Sequence, residues 1–158
     1  MTKVIKLLVL ILSLTFFTLV PAYASSSHSN SNGSWIFLEN SEDLYAIKYF
    51  TLDDFNKPRL SAVTLYDGNR SLSVNSYTYL CVSPDRNKLI NSDNIIEVWN
   101  GGDNEGNGAI TFKIGNTEIA VDANSGAQLW IKSNNVYNIY AKANWYSGTY
   151  SLSVKDYC

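Results

Sequence analysis

Ala127-Gln-Leu-Trp-Ile-Lys132, Val136-Tyr-Asn-Ile-Tyr-Ala-Lys-Ala-Asn-Trp-Tyr146 and Thr149-Tyr-Ser-Leu-Ser-Val-Lys-Asp156 are three successive stretches in which apolar and polar side chains alternate. A period of two marks a strand with one buried face. Leu129 and Ile131 share a face of the first stretch; Tyr137, Ile139, Ala141, Ala143 and Trp145 share one of the second; Tyr150, Leu152 and Val154 share one of the third. If Ser133-Asn134-Asn135 closes one hairpin and Ser147-Gly148 the next, Leu129 lies opposite Ile139, Ile131 opposite Tyr137, Trp145 opposite Tyr150, Ala143 opposite Leu152 and Ala141 opposite Val154. No apolar residue then leaves its face, and a slip of one residue would turn the whole set to solvent. The pattern predicts a three-stranded meander. Its other face carries Gln128, Trp130, Asn138, Tyr140, Lys142, Asn144 and Tyr146.

Upstream, Gly115-Asn116 offers a second hairpin turn that sets Ile114 against Thr117, Phe112 against Ile119 and Ile110 against Val121. Further strands are predicted at Trp35 to Leu38, Leu44 to Phe50, Leu60 to Tyr66, Ser71 to Val82, Asn94 to Trp99, Ala109 to Ile114 and Thr117 to Asp122. Asp67-Gly68-Asn69, Ser83-Pro84-Asp85 and Asn100 to Gly108 are among the breaks between them. About nine or ten short strands at this spacing predict an all-β fold, an antiparallel β-sandwich of jelly-roll or Ig-like type, with a closed β-barrel as the alternative.

Residues 1 to 24 read as a secretory signal peptide: Lys3 and Lys6, an uncharged run from Leu7 to Val20, then Pro21 and the small-residue pattern Ala22-Tyr23-Ala24. The run is short for a bilayer span, and no membrane insertion is expected after cleavage. Ser25 to Ser34, SSSHSNSNGS, is a polar leader with too little apolar surface to order itself, which leaves residues 35 to 158 as one β-sandwich domain. Two of the 12 basic residues leave with the signal while all 14 acidic ones stay, so the formal charge moves from -2 to about -4. That balance excludes a nucleic-acid partner, which needs a basic footprint. Cys81 and Cys158 are the only cysteines, and in an oxidising compartment such a pair is expected to form a disulfide. The expected location is secreted or periplasmic.

The catalytic inventory is thin. His28, the single histidine, sits in the leader, where it supports neither a nucleophilic triad nor a zinc site. Asp53, Asp54, Asp93, Glu97, Asp103 and Glu105 could supply a pair of carboxylates for a hydrolase, but the expectation is that the chain is not an enzyme. Asp103, Glu105 and Asn107 place oxygen ligands at alternate positions among glycines, as a calcium loop does, although Ile114 stands where a bidentate Glu would close it. Apart from that calcium candidate no cofactor is implied.

Flat aromatic rings beside amide and ammonium donors suit a sugar, which has polar edges and apolar C–H faces, and they also suit a protein. The predicted function is an exported, non-enzymatic protein that recognises a glycan or cell-surface component through Trp130, Asn138, Tyr140, Lys142 and Tyr146. The alternative is a periplasmic or secreted inhibitor, such as an immunity protein against a wall-degrading toxin, that uses the loop from Asn100 to Gly108. The ending Ser147-Gly-Thr-Tyr-Ser-Leu-Ser-Val154 resembles the closing strand of bacterial extracellular β-sandwich modules, among them carbohydrate-binding and pre-peptidase C-terminal domains.

Overall fold

A computed structural model of the chain describes residues 33–55, 62–85, 94–103, 105, 108–132 and 136–157. Residues 1–24, expected to be a signal peptide, all but the end of the expected polar leader, Asp93, Asn107 and Cys158 lie outside the described residues. The chain forms β1 (Ile36–Phe37), β2 (Leu44–Thr51), a single helical turn α1 (Leu52–Phe55), β3 (Ala62–Leu72), β4 (Thr78–Val82), β5 (Ile95–Asp103), β6 (Ile110–Ile114), β7 (Thr117–Val121), β8 (Ser125–Ile131), β9 (Asn138–Ala143) and β10 (Gly148–Tyr157). Six strands make one sheet in the order β1-β2-β8-β5-β10-β3, four make the other in the order β4-β9-β6-β7, and every pairing is antiparallel. Neither sheet closes on itself, so the barrel alternative is set aside.

One core lies between the sheets. Leu44, Ile96, Val98, Leu129, Ile131, Leu152 and Val154 from the six-stranded sheet meet Ile110, Phe112, Ile114, Ile119, Val121, Ile139 and Ala141 from the other, all buried. Close-packed apolar contact of this kind is what holds two sheets face to face. Asp43 pins the edge: its carboxylate accepts bonds from Asn116 N (2.8 Å) and Thr117 Oγ1 (3.2 Å), tying the entry to β2 to the β6–β7 turn. That turn has the expected register, with Ile114 beside Thr117, Phe112 beside Ile119 and Ile110 beside Val121. Gly115, at φ +59°, takes the first central position of a two-residue hairpin, where a positive φ matches the strand twist.

The C-terminal meander is corrected. Its faces are as expected, since Leu129, Ile131, Ile139, Ala141, Ala143, Tyr150, Leu152 and Val154 are all buried. Its pairings are not: β8 lies between β2 and β5, β9 between β4 and β6, and β10 between β5 and β3. Alternation says which side of a strand is buried, and a two-sheet core satisfies it equally well by sending successive strands to opposite sheets. The crossing from β9 is held by bonds from Ala143 N to Ser73 O and from Asn144 N to Ala109 O, so Ser147-Gly148 is no hairpin turn. Trp145, expected in the core, falls in this crossing and is 77 % exposed. Two further expectations change. Asp67-Gly68-Asn69 does not turn but continues β3 along Ser153, Leu152 and Ser151, with Gly68 at φ +145°. Ser71 to Val82 is two strands, broken where Ser147 Oγ accepts from Val74 N and Ser73 Oγ from Asn75 N.

Cys81 is a free thiol, and the expected disulfide is not present at this end of the pair. A bulge between Tyr79 and Cys81 turns both Leu80 and Cys81 into the core, where the sulfur packs as a small apolar group. Burial pushes its pKa up to about 11. Iodoacetamide near neutral pH is therefore expected to spare Cys81 in the folded protein and to label it in denaturant, as read by peptide mass. Equal labelling in both states would show the site to be open.

Candidate functional site

The five sequence-predicted binding residues do not share one surface. Asn138, Tyr140 and Lys142 alternate along β9 and point outward from the four-stranded sheet, while Ile139, Ala141 and Ala143 point inward. Trp130, on β8, points outward from the opposite sheet. Tyr146 lies in the β9–β10 crossing at one end of the molecule.

On the four-stranded sheet, the β4–β9–β6 register builds a patch around Tyr140. Tyr79 pairs with it on one side and Lys113 on the other. The Tyr79 and Tyr140 rings meet edge to face with centroids 5.7 Å apart. Val82 lies beside Asn138, and Thr111 beside Lys142. Tyr77, just before β4, receives two ammonium groups: Lys142 Nζ is 4.7 Å and Lys113 Nζ 5.4 Å from its ring centroid. Glu118 Oε2 stands 3.9 Å from Lys142 Nζ, and Thr111 Oγ1 donates to Asn144 Oδ1 at 2.7 Å. Tyr79 is 46 % exposed, with Val82 and Asn138 exposed on the β4–β9 side of the sheet and Glu118 and Ala120 exposed on β7 at its far edge. Tyr77, Tyr79 and Lys113 escaped the sequence reading. They alternate correctly within their own segments, but nothing local says that β4 and β6 flank β9.

The outer face of the six-stranded sheet is different. Phe50, Glu97, Trp99 and Ser153 lie at its centre, none more than 7 % exposed. Glu97 Oε2 accepts from Gln128 Nε2 and from the Tyr157 hydroxyl, both at 3.1 Å, and Phe50 stacks on Trp99 at 5.9 Å. Trp130 sits toward the β1 edge of this face in contact with Trp35 (6.0 Å) and Tyr45 (5.7 Å), and Lys132 Nζ lies 5.5 Å from the Tyr45 ring. It is a partly packed aromatic cluster, 38 % exposed at Trp130.

At the end of the molecule an open cleft of about 480 Å³ is lined by Asp103, Glu105, Tyr146, Ser147, Gly148 and Thr149. Its groups are engaged with one another and with neighbouring strands. Tyr146 donates to the Asp103 carboxylate, and that bond, then desolvation and the nearby charges, raises the phenol to about 12. Asp103 Oδ1 accepts from Glu105 N, Ser147 Oγ from Val74 N, and Thr149 Oγ1 shares a bond with Ser71 Oγ. Of the acids considered for a hydrolase, Asp103 and Glu105 come together here. Glu97 is buried on the six-stranded sheet, Asp53 lies in α1, and Asp93 is outside the described residues. For the calcium candidate, Asp103 and Glu105 are placed as just described and Asn107 is outside the described residues. Among the described residues no three His, Cys, Asp or Glu side chains converge in a way that could hold a metal.

No family model, curated protein or solved structure matches the chain.

Proposed function

We propose that the chain is an exported, non-enzymatic binding module, and that it takes a glycan or cell-surface component across the outer face of β4, β9 and β6. One observation carries this reading. On this face two neighbouring aromatic rings, the exposed Tyr79 and the half-buried Tyr140, stand beside amide and ammonium donors from Asn138, Lys113 and Lys142, with both lysines drawn to a third ring, Tyr77. A sugar ring lays its C–H face on such rings and gives its hydroxyls to the donors at the rim. The sandwich serves as a rigid platform, since the inward residues of β9 are locked in the core. Within the sandwich we infer a jelly roll: β3-β10-β5-β8 facing β4-β9-β6-β7 is the order that two Greek keys wound together produce, with β2 and β1 added at one edge.

The test is equilibrium binding of the chain without residues 1–24 to a panel of polysaccharides and peptidoglycan, beside Tyr140→Ala and Trp130→Ala. Removal of a central aromatic costs a binding site about 2 kcal/mol, roughly a 30-fold loss of affinity. Tyr140→Ala is expected to show that loss with folding intact, and Trp130→Ala to bind as the parent does. The reverse pattern would move the site to the aromatic cluster of the six-stranded sheet. No binding across the panel would end the glycan reading and direct the search to a protein partner.

A further inference from the structure

Resting on that reading, we infer that the ligand on this face is an acidic polysaccharide, one that carries carboxylate, sulfate or phosphate groups along its chain. The warrant is where the positive charge sits. The described residues include six cations, Lys48, Arg70, Lys113, Lys132, Lys142 and Lys155, in a chain of net charge -2. Two of the six converge here and a third reaches the edge of the face. Lys113 and Lys142 both approach the Tyr77 ring, at 5.4 and 4.7 Å, and the Arg70 guanidinium reaches the Tyr79 carbonyl at 3.3 Å on the β4 edge. Among the described residues the acid paired with them is Glu118, 3.9 Å from Lys142 Nζ. A pair that long between partly exposed side chains is screened and weak, so it does not consume the lysine.

Two ammonium groups drawn to one ring repel each other, and the negative face of the tyrosine offsets part of that cost. The arrangement holds two positive charges beside an open aromatic pair before any ligand arrives. A neutral glycan can use them only as hydrogen-bond donors and leaves their charge unmatched. An acidic one sets a sugar ring on Tyr79 and Tyr140 while its anionic group lies at Lys142 and Lys113. Lysine, a compact point charge without a fixed fork, accepts carboxylate, sulfate or phosphate alike, so the surface selects charge with sugar rather than one anion.

The experiment compares polygalacturonate with its fully methyl-esterified form, and dextran sulfate and dextran phosphate each with dextran, with poly-L-glutamate as an acidic polymer without sugar. The expected result is at least 10-fold tighter binding of the acidic member of each sugar pair, a preference that shrinks as salt is raised. The double variant Lys113→Gln/Lys142→Gln should erase the preference with its thermal midpoint unchanged. The three anions, run side by side, show which the face takes best. Equal binding of neutral and acidic sugars would overturn this inference and leave the glycan reading standing. Binding of poly-L-glutamate as tight as that of polygalacturonate would also overturn it, because charge alone would then suffice. Failure to bind any polysaccharide would overturn both.

Discussion

Gly126→Ala is expected to destabilise the protein by about 3 kcal/mol and lower its melting midpoint by roughly 10 °C. In most strands this exchange would help, because alanine restricts the unfolded chain and is worth about 0.4–1 kcal/mol where the backbone permits it. Here the space is taken. A Cβ on Gly126 would run into Phe50 Cζ and lie 2.7 Å from the Val98 carbonyl oxygen. Phe50 lies across the glycine and stacks on Trp99, so the missing side chain is what lets this aromatic pair close over the middle of the six-stranded sheet. To admit the methyl group the ring must swing away, at an overpacking cost of about 1–3 kcal/mol together with about 1 kcal/mol of ring contact. The carbonyl contact remains even then, since it belongs to the backbone of β5, paired with β8 through Trp99 and Gly126. Urea unfolding of Gly126→Ala and of Gly126→Ala/Phe50→Leu separates the two clashes. Partial recovery in the double variant is expected. A single variant within about 0.5 kcal/mol of the parent would show that the sheet yields at no cost.

The sequence reading reached as far as local information allows. The β6–β7 hairpin was legible to the residue because a two-residue turn fixes its own register, and Gly115 supplies the backbone conformation it needs. The burial of Leu129, Ile139 and Leu152 was legible from alternation. Which sheet each strand joins was not, because that choice rests on contacts far apart in the chain, such as Trp130 beside Ala46 and Ile95. The candidate site divided along the same line. Asn138, Tyr140 and Lys142 belong to one strand and stayed together, while Trp130 went to the other sheet and Tyr146 to the end cleft. Tyr77, Tyr79 and Lys113 joined the site through pairings that no single segment encodes.

A second large effect is expected at Asn100, read in sequence as the start of a loop and found wholly buried in β5. Its Nδ2 donates to the carbonyls of Gly108 (2.9 Å) and Val121 (3.0 Å), and its Oδ1 accepts from Gly102 N (2.9 Å). One side chain thus holds both ends of the Gly-rich connection and ties it to β7. Asn100→Asp keeps the shape but turns two donors into an oxygen that faces two carbonyls. Lost and unpaired buried hydrogen bonds of this kind cost about 1–3 kcal/mol each, so about 4 kcal/mol is expected near neutral pH. The sign of the pH dependence follows from the same geometry. Only the protonated carboxyl can donate, so folding raises its pKa above the unfolded value of about 3.9. Between those two values the unfolded chain holds fewer protons than the folded one, and stability falls as pH rises. The variant should therefore lie closest to the parent at about pH 4 and furthest at about pH 7, whereas Asn100→Ala, which has no proton to lose, should be destabilised equally at both. Urea unfolding at the two pH values decides it. A pH-independent Asn100→Asp penalty would mean that the carboxylate finds water, and that the connection from Gly101 to Gly108 opens without the rest of the sandwich.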